Sequence, residues 1–252
     1  MKLLSIVTIS YNTANDLRET LASIPDTVRA SDYVEHIIID GGSTDGSIEL
    51  ITEYAPDSFV AEKDRGIYDA MNKGVRLASG KFIAFLNSGD IIISAKAFDD
   101  CLSSLQKGDA DIISFGKTFY NYRKVLTKKI PTSKDLKNAH IFMPLIHQGL
   151  CIKKEAYEAT GLYDINYKIV ADCDWLLRYL AKYGHNKIQF TNICLVQMGR
   201  GGVSDVATSL GARTLEHAKI RSAAGFSPAS NLLITLRYFI TRRLKYFLKR
   251  FF

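Results

Sequence analysis

EKDRGIYDAMNKGVRLASGKFIAFLNSGD, residues 62–90, joins a charged loop, a helical pattern and an apolar run in the order that decides the fold. The run is Phe82-Ile83-Ala84-Phe85-Leu86, aromatic and β-branched, entered through the turn residues Ser79-Gly80. Unbroken apolarity of this length suits a strand buried on both faces, as in a parallel sheet. Asn87, Ser88, Gly89 and Asp90 then fall just past the carboxyl end of that strand, where open α/β sheets receive ligands. A carboxylate at Asp90 is placed to hold a hard divalent cation against phosphate oxygens.

Outward from this block the same alternation continues. Strands are expected at Leu3–Ile9, His36–Ile39 and Phe59–Ala61, and helices at Ala14–Ser23, Thr44–Tyr54 and Ile67–Leu77, with Thr44 or Asp45 as a cap. The resulting β-α-β-α-β-α-β order predicts an α/β domain with a mainly parallel sheet flanked by helices, Rossmann-like in its layering. Further strands are expected at Asp111–Tyr122 and Ile188–Val196, and helices at Lys153–Thr160 and Asp174–Tyr183. Residues Arg123–Pro144 are polar, basic and without period, and read as an exposed loop near the site.

Charge divides the chain of 252 residues unevenly. His217–Phe252 holds eight Lys and Arg and no Asp or Glu, so residues 1–216 carry 25 bases against 26 acids and the tail accounts for the net charge of +7. This division sets the expected organisation: a body over 1–216 and a basic tail over 217–252. On a helix, Leu233, Leu236, Ile240, Leu244, Phe247 and Phe251 share one face, with Arg242, Lys245 and Lys249 opposite. An amphipathic helix of this kind lies on an anionic membrane surface; docking on its own core, or on a second subunit in a homo-oligomer, is the other use. The body has no basic or aromatic pattern for nucleic acid. Cys101, Cys151, Cys173 and Cys194 form no CxxC or Cys/His cluster, which disfavours zinc and disulfides and suits reduced thiols. The apolar start is too short for a signal peptide and no run suits a membrane span. A cytoplasmic body, peripheral on the inner face of the membrane, is expected.

Four motifs in series resemble family 2 glycosyltransferases, inverting enzymes of the GT-A fold common in bacterial surface-polysaccharide assembly. They are SIVTISYN at 5–12, IIIDGGSTDGS at 37–47, the block at 62–90 and VADCDWLLRYLAKYG at 170–184, and the resemblance spans about Leu3–Ser204. It implies a nucleotide-sugar donor, with a UDP-sugar expected first, a glycan or lipid-linked acceptor, and Mg2+ or Mn2+. In that frame Tyr11 offers a stacking face for a base, Asp40 an acceptor for base or ribose, and Asp64 approaches the nucleotide with Asn72, Lys73 and Asn87. Asp90 is the metal ligand. Asp172 is the base that takes the proton of the attacking hydroxyl. His147 and Gln148 face the acceptor or donor sugar, with Asp174 as a helix cap or supporting partner. Gly201-Gly202-Val203-Ser204 matches a loop that closes over substrate.

Several family positions differ here. The second Asp after the second strand is Gly41, an Arg common in the helix of the block is Met71, two carboxylates before Asp90 are Asn87 and Gly89, and the Glu before Asp172 is Ala171. Without the usual Arg, the diphosphate charge falls to Arg65, Lys73, a metal or residues elsewhere. A catalytically silent binding or scaffold protein is the alternative these changes raise, against which stands retention of Asp40, Asp64, Asp90 and Asp172. A nucleotidyltransferase would need a Gly-rich basic loop after the first strand, where this chain has Ser10-Tyr11-Asn12.

Overall fold

In the computed structural model, which describes residues 2–120, 126–199 and 209–251, the apolar runs become strands of one nine-stranded sheet. β1 (Leu4–Ser10) and β2 (Val34–Asp40) are buried along their whole length, as is β4 (Phe82–Phe85), while β3 (Ser58–Ala61) closes the edge. β5 (Ile91–Ile92), β6 (Ile112–Tyr120), β7 (Leu126–Lys129), β8 (Leu150–Lys153) and β9 (Ile188–Gln197) complete it in the order β3-β2-β1-β4-β8-β6-β9-β5, with β7 on β6. β1, β2, β3, β4, β6 and β9 run one way and β5, β7 and β8 the other, so the sheet is mainly parallel.

The helices are α1 (Ala14–Ser23), α2 (Asp26–Arg29), α3 (Ser47–Tyr54), α4 (Ile67–Leu77), α5 (Ala95–Lys107), α6 (Lys154–Thr160), α7 (Ala171–Tyr183), α8 (Ser209–Ala223) and α9 (Pro228–Phe251). Alternate strand residues bury against opposite layers, because successive side chains in a strand point to opposite faces. Val7, Ile37, Ile39, Ile83 and Phe85 meet α4, α6 and α7 through Met71, Val75, Tyr157, Trp175 and Tyr179. Leu4, Ile6, Phe82 and Ala84 meet α5 through Phe98, Cys101 and Leu105, and Ile38 meets α1 and α3.

Two expectations change. The stretch expected as an exposed loop is structured where described: β7 pairs antiparallel with β6, Ser133–Asn138 is a 3-10 helix with a capping box from Thr132 and Asp135, and Ala139 and Pro144 are buried. Its polarity reflects an edge position, not exposure throughout. α7 starts at Ala171, one turn before the expected Asp174, which sets Asp172 in the first turn. Residue 217, where the basic stretch begins, lies inside α8, and Gly225, with φ +82°, stands between α8 and α9. α9 docks its inner side through Asn231 and Tyr238, while Leu233, Leu236 and Ile240 are turned outward. Leu244, Phe247 and Phe251 have side chains outside the described residues. Among the described residues no helix is long and apolar enough to cross a membrane.

Candidate active site

Parallel β1, β2 and β4 deliver their following loops to one edge of the sheet. The first two loops are tied together. Asn12 takes φ +51° and its N–H donates to Ser43 Oγ (2.8 Å), while Thr44 N donates to Asn12 Oδ1 (2.9 Å) and Ala14 N to Asp45 Oδ2 (2.9 Å). Tyr11 stays 61% exposed with its ring against Gly41, so it keeps a face open for stacking. A Cβ at residue 41 would stand 2.8 Å from Asp64 Oδ2 and 3.0 Å from Tyr11 Cδ2. A side chain at residue 41 would therefore require the Asp64 carboxylate and the Tyr11 ring to shift.

Asp40, Asn72 and Lys73, all expected at the nucleotide, have partners within the protein. Asp40 has no exposed surface, and its carboxylate accepts from Gly42 N (3.0 Å), Ser43 N (2.6 Å) and Ser43 Oγ (2.7 Å), shaping its own turn. Asn72 is buried and pairs with the backbone of Tyr163: Nδ2 donates to Tyr163 O (2.9 Å) and Oδ1 accepts from Tyr163 N (3.0 Å). Lys73 pairs with Glu62 Oε1 (2.8 Å) and donates to Lys63 O (3.3 Å), which braces the loop that carries Asp64. Asp174 is neither a cap nor a lining residue. Its Oδ2 accepts from Arg178 Nε (2.8 Å) one turn on, and Arg178 in turn donates to Thr160 O and Leu162 O.

Five other expected residues converge. Asn87, Asp90, His147, Gln148 and Asp172 line one cleft of about 380 Å³. Asp90 is buried and its Oδ1 accepts from Gly199 N (3.0 Å). Asn87 contributes a buried Oδ1 with no hydrogen-bond partner among the described residues. Such an orphaned acceptor beside a carboxylate is a donor set of hard oxygens and fits a divalent cation. No group of three or more His, Cys, Asp or Glu among the described residues could hold a metal, so substrate oxygens and water would complete the shell. Asp172 Oδ1 accepts from Tyr68 OH (3.1 Å). Tyr68 OH has one proton and a second acceptor, Ile169 O (2.9 Å). Burial first, then the Asp172 charge, pushes the Tyr68 hydroxyl well above the usual phenol range, so it stays protonated. His147 stacks on Phe85 and shares a hydrogen bond with Tyr163 OH (2.9 Å); burial lowers its pKa, opposed by Asp172. The 201–204 loop lies outside the described residues.

Sequence reasoning missed what holds Asp172 in place. Glu216 of α8 clamps consecutive peptides, accepting from Lys168 N (2.8 Å) and Ile169 N (2.9 Å), so the Ile169 carbonyl faces Tyr68. It also missed the basic lining: Lys117, Lys129, Lys168 and Arg213 all border the cleft.

Known proteins match this arrangement in sequence and in fold. The family model of Glycosyl transferase family 2 covers residues 5–160. An uncharacterized glycosyltransferase of Mycobacterium tuberculosis is 32% identical over 183 residues, 69% of this chain and 67% of that one. The fold is similar to that of S. aureus TarS 1-349 in complex with UDP-GlcNAc (TM-score 0.64, 16% identity, 94% of this chain and 71% of that one). It is also similar to glucosyl-3-phosphoglycerate synthase of Mycobacterium tuberculosis in complex with Mn2+, UDP and glucosyl-3-phosphoglycerate (TM-score 0.62, 14% identity, 90% of this chain and 81% of that one). The chain therefore belongs to glycosyl transferase family 2, with the GT-A fold, and is a glycosyltransferase.

Proposed function

We propose that the protein moves a sugar from a UDP-sugar to a glycan or lipid-linked acceptor in polysaccharide or glycolipid assembly, with inversion. The observation that carries the reading is the convergence of Asp172, Asp90 and Asn87 on one cleft, next to the loop edge where Tyr11 and Asp64 meet over Gly41. Tyr11 stacks the base and Asp64 faces the nucleotide. Asp172 takes the proton of the acceptor hydroxyl as its oxygen bonds to the anomeric carbon, and the bond to the diphosphate breaks with its electron pair leaving on phosphate. Asp90 and Asn87 would hold Mg2+ or Mn2+, which when bound neutralises charge on the diphosphate as a Lewis acid. His147 and Gln148 border the sugar. The complexes of TarS with UDP-GlcNAc and of the synthase with Mn2+ and UDP support this choice of donor and ion. The basic stretch 217–252 and the outward Leu233, Leu236 and Ile240 support peripheral attachment of a cytoplasmic enzyme to the inner membrane face.

The test is thermal stabilisation by UDP-sugars, with and without Mn2+, on wild type, Asp90→Ala and Asp172→Asn. Stabilisation that needs metal, is lost in Asp90→Ala and persists in Asp172→Asn without transfer is expected. Transfer by Asp172→Asn at the wild-type rate would remove Asp172 from the role of base.

A further inference from the structure

The Arg common in this family's helix is Met71 here, and Met71 is a buried lining residue of the cleft. Lys73, the nearest alternative on α4, is paired with Glu62. Arg65 is paired with Asp69, so beside any metal the side chains left to meet a diphosphate lie on other elements. β6 and β7 supply two. Lys117 and Lys129 are register partners in that antiparallel pair, so their side chains leave the sheet on the same face, and both line the cleft. Like charges directly opposite on two strands are destabilising, and an anion between them turns the repulsion into two charge-assisted hydrogen bonds.

Local geometry aims the pair. The β6–β9 register shifts between Ser114 and Gly116 and again between Gly116 and Lys117, an irregularity of the kind that redirects a side chain beside a site. Gly116 is needed for β7 to approach: a Cβ there would stand 2.3 Å from Ile130 Cδ1 and 2.9 Å from Lys129 O. The end of β9 then links the lysines to Asp90. Met198 N donates to Thr118 O (2.9 Å), and the next residue, Gly199, donates its N–H to Asp90 Oδ1 (3.0 Å).

We propose that Lys117 and Lys129 form a phosphate site in the cleft, which holds the donor's diphosphate beside Asp90 in place of the arginine this chain lacks. This rests on the donor reading above; a phosphate on the acceptor would meet the same two ammonium groups. The experiment is calorimetric titration of the full chain with UDP, uridine and inorganic phosphate, on wild type, Lys117→Gln, Lys129→Gln and the double variant, at low and high salt. Each single variant is expected to weaken UDP about tenfold, or about 1.4 kcal/mol, with uridine affinity unchanged and the loss smaller at high salt. Lys129 is exposed, so its variant reports binding without a folding defect. Lys129→Arg keeps the charge and is expected to retain affinity. Unchanged UDP affinity, with loss of inorganic phosphate binding on the UDP-saturated protein, assigns the site to the acceptor. Equal binding of UDP and of phosphate by wild type and double variant overturns the proposal. A wild type that binds phosphate through these lysines but no nucleotide keeps the site and removes the donor reading.

Discussion

Tyr68→Phe deletes a single oxygen, and its consequences follow from two distances. The hydroxyl lies 2.9 Å from Ile169 O and 3.1 Å from Asp172 Oδ1, on a ring that is 7% exposed. The hydroxyl has one proton to divide between these two acceptors, so its removal costs one buried hydrogen bond, on the order of 1–2 kcal/mol of stability. For a chain of this size that lowers Tm by roughly 2–8 °C. With that proton turned toward the carboxylate the bond is of the stronger, charge-assisted kind, worth roughly 1.5–3 kcal/mol. If it orients Asp172 for proton transfer, kcat falls roughly tenfold to a hundredfold, and KM for the donor stays near wild type because the deleted oxygen bonds Ile169 and Asp172. Transfer is followed by release of nucleoside diphosphate across a range of pH, and folding by thermal melts on the same samples. A variant that melts lower but turns over within a factor of two of wild type would show that Tyr68 braces the 169–172 segment and does nothing for the base.

Three further outcomes are expected. Burial, with a smaller push from Arg29, lowers the His36 pKa from 6.5 to about 3. Above pH 6.5 neither state is charged, and below it only the unfolded chain gains the proton, so stability falls by roughly 1.4 kcal/mol per pH unit as pH drops. Urea unfolding of His36→Gln should therefore show a flatter acid limb than wild type, and parallel limbs would refute this. Gly74→Ala places a Cβ 2.3 Å from Val7 Cγ1 across α4 and β1, a clash expected to cost about 1–3 kcal/mol by denaturant titration and to be partly relieved in the Val7→Ala background. Asn72→Ala should lose about 1–3 kcal/mol of stability while UDP affinity, measured on folded protein, is unchanged; weakened UDP binding would return Asn72 to the nucleotide site.

The parallel half of the sheet is legible because burial on both faces leaves an unbroken apolar run, as at Ile37-Ile38-Ile39 and Phe82–Phe85. β5 and β7 are not: one is two residues long and the other, Leu-Thr-Lys-Lys, is a polar edge whose only signal is its partner. Asp90, Asp172, Asn87, His147 and Gln148 reach a common cleft because motifs at strand and helix ends fix where they emerge. Asp40, Asn72 and Lys73 have suitable chemistry, but their hydrogen bonds are taken by Ser43, Tyr163 and Glu62. A side chain's competing partner is invisible when it lies 91 residues away, as for Asn72. Lys117 with Lys129, and Glu216 with Ile169, depend in the same way on register and on long-range contact.

The strand order also dictates how the molecule must come together. β4 gains its outer neighbour only from β8, and Ile92 of β5 waits for Val196 of β9, so local chain segments cannot finish the sheet. During synthesis the β1–β4 half presents a fully apolar strand with an unpaired backbone edge while more than sixty residues are still to be made. Such an edge is a template for pairing with another nascent chain. Pairings so distant in sequence also slow closure. Yield in expression should then be governed less by final stability than by how long that edge stays open, and conditions that slow translation through residues 86–150 should promote aggregation without any change in the folded protein.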